Sequence, residues 1–459
     1  MPTPPDRPPL TRRELLKLAG AAGVVGSALP TLPRTLAAIE PPPRMPGETM
    51  MGVPFERHET VRLAIVGTGL RGTSVLREWL AVDGVVITAL ADIVPEKAQR
   101  AAALVEAAGQ PRPALYTNGE RDFERLVERD DIDIVYTATP WDWHVPVCLA
   151  AMKAGKHAAT EVPAATTLED CWELVRVSEE TRRHCLMMEN CNYNFNEMLL
   201  DRMVKEGVFG EILYAEAAYI HDLRELLFED RDEGLWRRTP HTRRDGNFYP
   251  THGLGPVAWY LDIHKGDRFD YLVSMSTPER GLSDWREAHV SRDSGKWSEE
   301  YVAGDINSSL IKTVRGRNIL LQHNVTLPTP YTRLNSVRGT KGAFEDFPVR
   351  FYIDGEGRPH AWRTLDDDTR ARYTHPLWKR IGDIARERGG HGGMDYIMAY
   401  RLIETMREGL VPDFDVYDAA AWSAPSPLSE ASLALSSAPV RFPDFTRGGW
   451  QRNAATEAR

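Results

Sequence analysis

The stretch Val61-Arg-Leu-Ala-Ile-Val66 is followed at once by Gly67-Thr-Gly-Leu-Arg-Gly72. The first part is a short apolar run, and the second has the Gly-x-Gly-x-x-Gly spacing that joins a strand to a helix in dinucleotide-binding folds. A helical pattern follows from about Thr73 to Val82, and a second apolar run, Val85 to Ala91, ends in Asp92. Strand, glycine turn, helix and terminal acid together predict a Rossmann βαβ unit.

Each part of this motif has a physical role in binding a dinucleotide. Gly67 permits the tight turn, Gly69 lets the backbone approach a pyrophosphate, and Gly72 lets the helix pack closely on the strand. The helix N-terminus offers free N–H groups and a positive dipole to the phosphates. Asp92 can accept hydrogen bonds from a ribose 2′-hydroxyl and would repel a 2′-phosphate, so the motif predicts NAD rather than NADP.

Strands and helices continue to alternate up to about Asn190, which predicts a parallel, doubly wound sheet. Later apolar runs, such as 271–276, 308–314, 318–325 and 350–353, read as strands without intervening helices. We therefore expect an α/β protein whose N-terminal Rossmann domain precedes a C-terminal α/β domain with a largely antiparallel, open sheet. The substrate would bind between the two domains, and the open sheet face is one that a homo-oligomer would cover.

The first forty residues are typical of an export signal. Arg12 and Arg13 precede an apolar stretch rich in alanine and glycine, and small residues end the segment at 35–38. This order predicts a twin-arginine signal over 1–38, with a basic amphipathic first helix as the alternative. Because the apolar stretch is too short for a stable membrane anchor, we expect export by the twin-arginine machinery to the periplasm.

The remaining chain divides into four segments. These are a proline-rich linker over 39–60, the Rossmann NAD-binding domain over 61–190, the substrate-binding domain over 191–410, and a Pro-, Ser- and Ala-rich C-terminal tail over 411–459. Within this tail, a helix is expected near Leu428–Leu435. The chain has 459 residues, more than one ordinary domain of about 100–200 residues. Its net charge of −10 at pH 7 argues against a nucleic-acid partner, so we expect a small-molecule or glycan substrate.

Over most of residues 61–410 the chain resembles the oxidoreductase family of glucose–fructose oxidoreductase and inositol dehydrogenase. Members of that family usually carry Glu-Lys-Pro at the end of the fifth strand, where the lysine assists proton transfer from the substrate hydroxyl. The corresponding residues here are Glu161-Val162-Pro163. Because the lysine is absent, the resemblance alone does not predict a simple alcohol dehydrogenase.

More narrowly, the chain resembles glycoside hydrolase family 109, the NAD-dependent α-N-acetylgalactosaminidases. The stretches that carry this resemblance are Trp141-Asp-Trp-His144, Thr160-Glu-Val-Pro163, Glu189-Asn-Cys191, Tyr219-Ile-His-Asp-Leu223, Tyr249-Pro-Thr-His-Gly-Leu-Gly-Pro256, Pro330-Tyr-Thr-Arg-Leu-Asn335 and Asp415-Val-Tyr-Asp418. The resemblance implies NAD contacts at Leu70, Arg71, Asp92, Trp141, Asp142, Trp143, His144, Glu161, Val162 and Asn190. It implies substrate contacts at Tyr219, Arg237, Tyr249, Pro250, Thr251, His252 and Tyr331. One departure is Asp142, which stands where glutamate is usual.

The implied activity is hydrolysis of a terminal α-linked N-acetylgalactosamine or a related sugar without the usual pair of carboxylates. Transient oxidation at C3 would acidify the C2 proton, and elimination across C1–C2 followed by hydration would cleave the bond with retention and restore NAD. Such recycling suits an exported protein. The alternatives are an exported sugar oxidoreductase with tightly bound NAD(P) and a sugar or cofactor sensor without activity.

His252 and Tyr331 are the candidate catalytic residues, with Tyr219 as a third candidate. Imidazole titrates near neutrality and can move a proton in both directions, so we expect His252, in a turn-rich loop, to handle the C3 hydroxyl or the C2 proton. Tyr331 would donate a proton or orient the sugar, and Arg237 would supply a neighbouring charge. His221, Asp222 and His252 match no metal-binding spacing, so no metal is expected.

Overall fold

The computed structural model describes residues 49–451, so the export signal predicted over 1–38 lies outside the described residues. Two β-sheets with their covering helices share one continuous core of buried apolar side chains. The first sheet is parallel and the second is mostly antiparallel, which confirms the predicted fold class.

The first sheet has six parallel strands in the order β3-β2-β1-β4-β5-β6. Its strands are β1 (Val61–Val66), β2 (Val85–Ala91), β3 (Ala114–Tyr116), β4 (Ile134–Thr137), β5 (His157–Thr160) and β6 (Cys185–Met187). Its helices are α1 (Leu70–Trp79), α2 (Pro95–Ala107), α3 (Phe123–Val127), α4 (His144–Lys153) and α5 (Leu168–Thr181). The strand order reverses between β1 and β4, and this reversal opens a crevice at the carboxyl ends of the strands.

The second sheet has nine strands in the order β14-β13-β12-β11-β7-β10-β9-β8-β15, of which β7 and β10 pair in parallel. Its strands are β7 (Ile212–Ile220), β8 (Phe269–Ser276), β9 (Asn307–Thr313), β10 (Asn318–Asn324), β11 (Ser336–Gly339), β12 (Gly342–Glu345), β13 (Arg350–Ile353), β14 (Arg363–Thr364) and β15 (Val440–Arg441). Burial alternates along β8 and β9, as expected for a sheet with one covered face.

Nine further helices follow the first sheet along the described chain. They are α6 (Phe195–Lys205), α7 (Arg224–Phe228), α8 (Thr251–Tyr260), α9 (Gly281–His289), α10 (Asp367–Tyr373), α11 (Pro376–Arg388), α12 (Met394–Glu408), α13 (Val416–Ser423) and α14 (Pro425–Ala434). Helix α8 packs on β7, whereas α12 packs on α1 and α13 packs on α5. The last two contacts join the C-terminal half of the chain to the Rossmann domain. Within residues 49–451, no helix is both long and apolar enough to cross a membrane.

The described residues 411–451 pack into the fold instead of forming a tail, and the helix expected near Leu428–Leu435 corresponds to α14. Asp415 begins α13 with a capping box that includes Asp418, and Trp422 in the same helix is fully buried. Pro425 occupies the first turn of α14, where a proline costs no hydrogen bond. The proline, serine and alanine residues therefore cap helices and allow close packing, and β15 extends the second sheet at its edge.

Candidate functional site

A cavity of about 320 Å³ lies at the carboxyl ends of the parallel strands. Its floor is formed by the glycine motif and by the ends of β1, β2, β4 and β5, and a segment that follows β7 closes it from the other side. Predicted site residues in its wall are Gly67, Gly69, Leu70, Arg71, Asp92, Trp141, Trp143, His144, Glu161, Val162, Arg237 and Tyr249.

The glycine motif has the shape that a pyrophosphate requires. Gly67 has φ +88°, and a Cβ atom there would lie 2.8 Å from the carbonyl carbon of Ala138. A Cβ on Gly72 would overlap the carbonyl oxygen of Gly67. By contrast, a Cβ on Gly69 would meet only Lys97 Nζ at 4.0 Å. The turn is therefore packed on its inner side and open at Gly69, where a phosphate can approach the backbone.

Asp92 holds the glycine turn from the end of β2. Its Oδ2 atom accepts hydrogen bonds from the backbone N–H of Thr68 at 2.7 Å and from the Thr68 hydroxyl at 3.0 Å. Its Oδ1 atom accepts one from the backbone N–H of Val94 at 2.9 Å. Leu70 and Ile93 beside it are each 60% exposed, so the cavity presents apolar surface that a nucleotide would cover.

Arg71 links the cofactor cavity to the second half of the chain. Its Nε atom lies 2.9 Å from Glu161 Oε1, and its Nη1 atom lies 2.8 Å from Asp395 Oδ2. Burial opposes the charge, but Glu161 and Asp395 together raise the pKa of Arg71 well above its ordinary value. Tyr136 also donates a hydrogen bond to Glu161 at 2.7 Å, so the Glu161 carboxylate is fixed in the cavity wall.

The remaining predicted cofactor residues differ in their placement. His144 is buried at the start of α4, with Nδ1 2.8 Å from the carbonyl oxygen of Pro163 and Nε2 2.9 Å from that of Thr139. Asp142 is exposed, whereas Asn190 is buried and donates a hydrogen bond to Asp395. Neither Asp142 nor Asn190 lies in the cavity wall, so the structure does not bring these two to the predicted cofactor contacts.

Aromatic side chains connect the cavity to the predicted substrate residues. The Tyr249 ring, in the cavity wall, has its centroid 4.5 Å from that of Tyr219 and 4.9 Å from that of His252. Arg237 lies over the Tyr249 ring, with its Cζ atom 4.8 Å from the centroid. Pro250 and Thr251 are buried, so they support this cluster from beneath rather than present side chains to a sugar.

His252 lies in the first turn of α8, and the prediction that it occupies a turn-rich loop is wrong. Pro250 immediately precedes the helix, where its missing N–H is not needed. Gly253 allows α8 to lie directly on β7, since a Cβ there would overlap the backbone N of Ala218. The glycine and proline that suggest a turn therefore serve close packing of a helix.

A buried carboxylate orients His252. The Nδ1 atom of His252 lies 2.7 Å from Oε1 of Glu189, which follows β6 and is fully buried. Burial alone would raise the pKa of Glu189, but the His252 contact brings it below its ordinary value. Glu189 therefore remains ionised and holds the Nδ1 proton, which leaves Nε2 for a reacting group. Glu189 was not predicted as a site residue, although it lies in one of the stretches that carry the family resemblance.

Tyr331 has a different charged neighbour from the one predicted. Arg333 Nη1 donates a hydrogen bond to the Tyr331 hydroxyl at 2.9 Å, and Arg333 is itself paired with buried Glu197. Arg237 instead pairs with Glu233. Burial raises the pKa of Tyr331 despite the opposing effect of Arg333, so the phenol stays protonated near neutral pH. This favours proton donation or orientation of the substrate over a role as base.

His221 is a further residue of the site. From the sequence it was considered only as a metal ligand. Its Nδ1 atom lies 3.1 Å from the Tyr219 hydroxyl, and its ring centroid lies 5.1 Å from that of Tyr331. Burial, followed by the charge of Arg237, lowers the pKa of His221, so its imidazole is neutral near pH 7. It can therefore accept the proton of the Tyr219 hydroxyl.

Glu189, Cys191 and His252 each place a potential ligand atom within 4.8 Å of the others. These three residues were not predicted as a metal site, because they lie far apart in the sequence. Glu189 and Cys191 follow β6, whereas His252 lies in the first turn of α8. Burial raises the pKa of the Cys191 thiol well above its ordinary value, which disfavours the thiolate that a metal would need. The short distance between Glu189 and His252 is explained by the hydrogen bond between them.

Two family profiles match consecutive parts of the chain. The profile described as "Oxidoreductase family, NAD-binding Rossmann fold" matches residues 61–189, and the one described as "Glycosyl hydrolase 109, C-terminal domain" matches residues 193–452. A glycosyl hydrolase family 109 protein of Solibacter usitatus is 52% identical over 96% of this chain and 98% of its own length. One of Saccharopolyspora erythraea is 52% identical over 96% and 95%.

Solved structures show the same fold at low sequence identity. An NAD-binding oxidoreductase from Klebsiella pneumoniae has a TM-score of 0.66 at 16% identity, covering 84% of this chain and 100% of its own. A levoglucosan dehydrogenase in complex with NADH and levoglucosan has a TM-score of 0.63 at 17% identity, with the same coverage. The NAD-binding profile confirms NAD as the cofactor that the glycine motif predicted.

Proposed function

The chain belongs to glycosyl hydrolase family 109, and we propose that it is an NAD-dependent glycosidase that hydrolyses a terminal α-linked N-acetylgalactosamine or a related sugar. The observation that carries this proposal is the carboxylate-supported His252 beside the cofactor cavity. The strand end that in related dehydrogenases usually carries a catalytic lysine has Val162 instead. A protein with this site needs another group to move the substrate protons, and His252 is suited to that task.

The chain's own residues fit the cofactor. Gly67, Gly69 and the N-terminus of α1 would hold the pyrophosphate, and Asp92 would bind a ribose hydroxyl. Glu161 and Val162 would lie near the reactive end of the dinucleotide. When bound, NAD supplies reversible oxidation of the sugar at C3, which makes the C2 proton acidic.

His252 is the proposed base for the C2 proton. Its Nδ1 proton is held by Glu189, so the free electron pair is on Nε2, and the nearby Glu189 carboxylate stabilises the imidazolium that forms. When C2 loses its proton, the electron pair of the C2–H bond forms the C1=C2 double bond as the C1–O bond breaks. His252 later returns the proton to C2 after water has added at C1.

Tyr219, His221 and Tyr331 are proposed to bind the sugar hydroxyls. The Tyr219 hydroxyl can pass a proton to neutral His221, with which it is in contact, and this pair suits the C3 hydroxyl. The Tyr331 hydroxyl receives a hydrogen bond from Arg333, so its own proton is directed to an acceptor on the substrate. Arg237 and Tyr249 would form the wall of the site where the sugar meets the cofactor.

Activity with a panel of p-nitrophenyl glycosides tests the proposed function. The purified chain with its bound NAD is expected to release p-nitrophenol from the α-N-acetylgalactosaminide without net formation of NADH. Removal of NAD should abolish release, and added NAD should restore it. No release from α- and β-glycosides, together with NADH absorbance on addition of a free sugar, would instead identify a sugar oxidoreductase.

We also propose that the protein is exported through the twin-arginine pathway, on the basis of Arg12 and Arg13 and the apolar stretch that follows them. An enzyme that restores its NAD in each cycle needs no cofactor pool outside the cell. Fractionation of cells that express the wild-type chain or an R12K/R13K variant tests this. Accumulation of the variant in the cytoplasm is expected, and equal distribution of the two would contradict export by this route.

A further inference from the structure

A row of four aromatic rings leads from the cofactor cavity to the surface. The Tyr249 ring lies in the cavity wall, and the centroid of the Tyr219 ring lies 4.5 Å from its centroid. The Tyr331 centroid lies 6.2 Å from that of Tyr219, and the Phe347 centroid lies 6.0 Å from that of Tyr331. Tyr249 and Tyr219 are buried, whereas Tyr331 and Phe347 are 36% and 39% exposed. The row therefore begins at the cofactor and ends in solvent at Phe347.

Phe347, in the loop between β12 and β13, has a backbone conformation that bulky residues rarely adopt. Its φ is 66°, in the left-handed region. Because the side chain is more than a third exposed, this position gains less from apolar burial than a core phenylalanine does. Backbone strain of this kind is concentrated at functional sites. The combination of strain and exposure makes Phe347 a candidate for contact with the substrate.

The Phe347 ring is held in place by its neighbours. Arg333 lies over it, with the Cζ atom 5.2 Å from the ring centroid. Arg333 is itself buried and paired with Glu197, so its guanidinium is a fixed support. The loop is attached to α6, because Asp346 Oδ2 accepts a hydrogen bond from Asn196 Nδ2 at 3.0 Å. The arginine covers one part of the ring, and the exposed part remains for a ligand.

We propose that Phe347 is a platform for the second sugar of a glycan substrate, the one whose oxygen is linked to C1 of the terminal sugar; this inference rests on the proposed glycosidase function. Because C3 of the terminal sugar reacts with the cofactor, that sugar lies at the buried end of the row, beside Tyr219. The group on C1 then extends towards solvent, where the row ends at Phe347. The apolar C–H face of a pyranose packs on an aromatic ring and is removed from water there.

This platform would set the preference of the enzyme for the aglycon. A sugar aglycon gains the contact with Phe347, whereas a small alkyl aglycon is too short to reach it. The contact is made equally before and during bond cleavage, because Phe347 takes no part in proton transfer. Its loss should therefore weaken binding of a disaccharide and leave the rate of the bound complex unchanged.

Two substrates with the same terminal sugar isolate this contact. They are methyl α-N-acetylgalactosaminide and α-N-acetylgalactosaminyl-(1→3)-galactose, and the free sugar released from each is measured by chromatography. Phe347→Asn removes the ring and keeps a residue that tolerates the left-handed conformation. Its KM for the disaccharide is expected to rise about 3- to 10-fold at unchanged kcat, and its KM for the methyl glycoside should stay within about twofold of the wild type. Phe347→Trp keeps an aromatic face and should retain the wild-type KM for both.

Tyr271 provides a matched control, since it is 36% exposed on β8 and lies outside the row. Tyr271→Asn should give the wild-type constants with both substrates. Bound NAD and the Tm of each variant show whether the fold persists. An equal rise in KM for the two substrates, or an unchanged KM for the disaccharide in Phe347→Asn, would overturn the platform alone. Failure of the wild-type chain on both substrates would overturn the proposed function, and this inference with it.

Discussion

The Nδ1 atom of His252 lies 2.7 Å from Oε1 of Glu189, and the Glu189 side chain has no exposed surface. This contact joins the end of the parallel sheet to the first turn of α8, so it connects the two parts of the fold at the site. Because it fixes which ring nitrogen carries the proton, it also fixes which nitrogen faces the substrate.

Glu189→Gln is expected to reduce kcat about 10²- to 10⁴-fold, because proton transfer by a correctly oriented side chain contributes about that factor. The neutral amide no longer stabilises the imidazolium that forms when His252 takes a proton. Steady-state kcat and KM with the p-nitrophenyl glycoside measure this effect. Exposed Glu128 is the control, and Glu128→Gln should leave both constants unchanged. An unchanged kcat in Glu189→Gln would contradict the orienting role.

Substitutions of Gly69 and Gly72 should have different effects. A Cβ on Gly69 enters open space in the cavity, so Gly69→Ala should lose bound NAD and keep the Tm of the NAD-free wild type. A Cβ on Gly72 overlaps the Gly67 carbonyl, so Gly72→Ala should lower the Tm as well. Thermal unfolding and the NAD content of the purified variants distinguish the two. Full NAD occupancy in Gly69→Ala would contradict the proposed pyrophosphate position.

Tyr331→Phe should lower kcat without altering the basic limb of the pH profile. Burial keeps the pKa of the Tyr331 phenol above its ordinary value. Removal of the hydroxyl therefore removes a hydrogen-bond donor and not a group that titrates as a base. The reduction is expected to be about 10-fold, since one hydrogen bond of about 1.4 kcal/mol corresponds to that factor. Tyr271 has the same 36% exposure on β8, and Tyr271→Phe serves as the control. Loss of the basic limb in Tyr331→Phe would instead identify the phenol as a base.

His184 should make folding stability depend on pH. Burial lowers the pKa of His184 to about 4, whereas an unfolded chain keeps a value of about 6.5. Below pH 6.5 the unfolded state binds the additional proton, so stability falls as the pH drops from 6.5 towards 4 and is fully present above 6.5. Between pH 7 and pH 5 this contribution amounts to about 2 kcal/mol.

Urea unfolding of His184→Gln at the two pH values tests this dependence. The variant should lose about 2 kcal/mol less than the wild type on acidification, whatever its absolute stability. Exposed His360 provides the control, since His360→Gln should lose as much as the wild type. Equal pH dependence in His184→Gln and in the wild type would show that His184 is protonated equally in both states.

Local patterns in the sequence predicted much of the fold. The glycine motif and the alternation of apolar runs predicted the parallel sheet, and the strand predicted over 350–353 has the bounds that the structure shows. Helices α8 and α13 were missed, because proline and glycine are ambiguous between a turn and a closely packed helix.

The partners of the site residues could not be predicted, because they are far apart in the chain. Asp395 lies 324 residues from Arg71, and Glu189 lies 63 residues from His252. Only the fold brings them together, through the packing of α12 on α1 and of α8 beside the end of β6.

Exchange of the C2 proton tests the oxidation–elimination route most directly. The chain with its bound NAD would hydrolyse p-nitrophenyl α-N-acetylgalactosaminide in deuterated water, and the released sugar would be analysed by NMR. If His252 removes the C2 proton and its imidazolium exchanges with the deuterated water before it reprotonates C2, the released sugar carries deuterium at C2 and at no other ring position. Release of the sugar with only hydrogen at C2 would contradict the elimination mechanism and the role of His252 as its base.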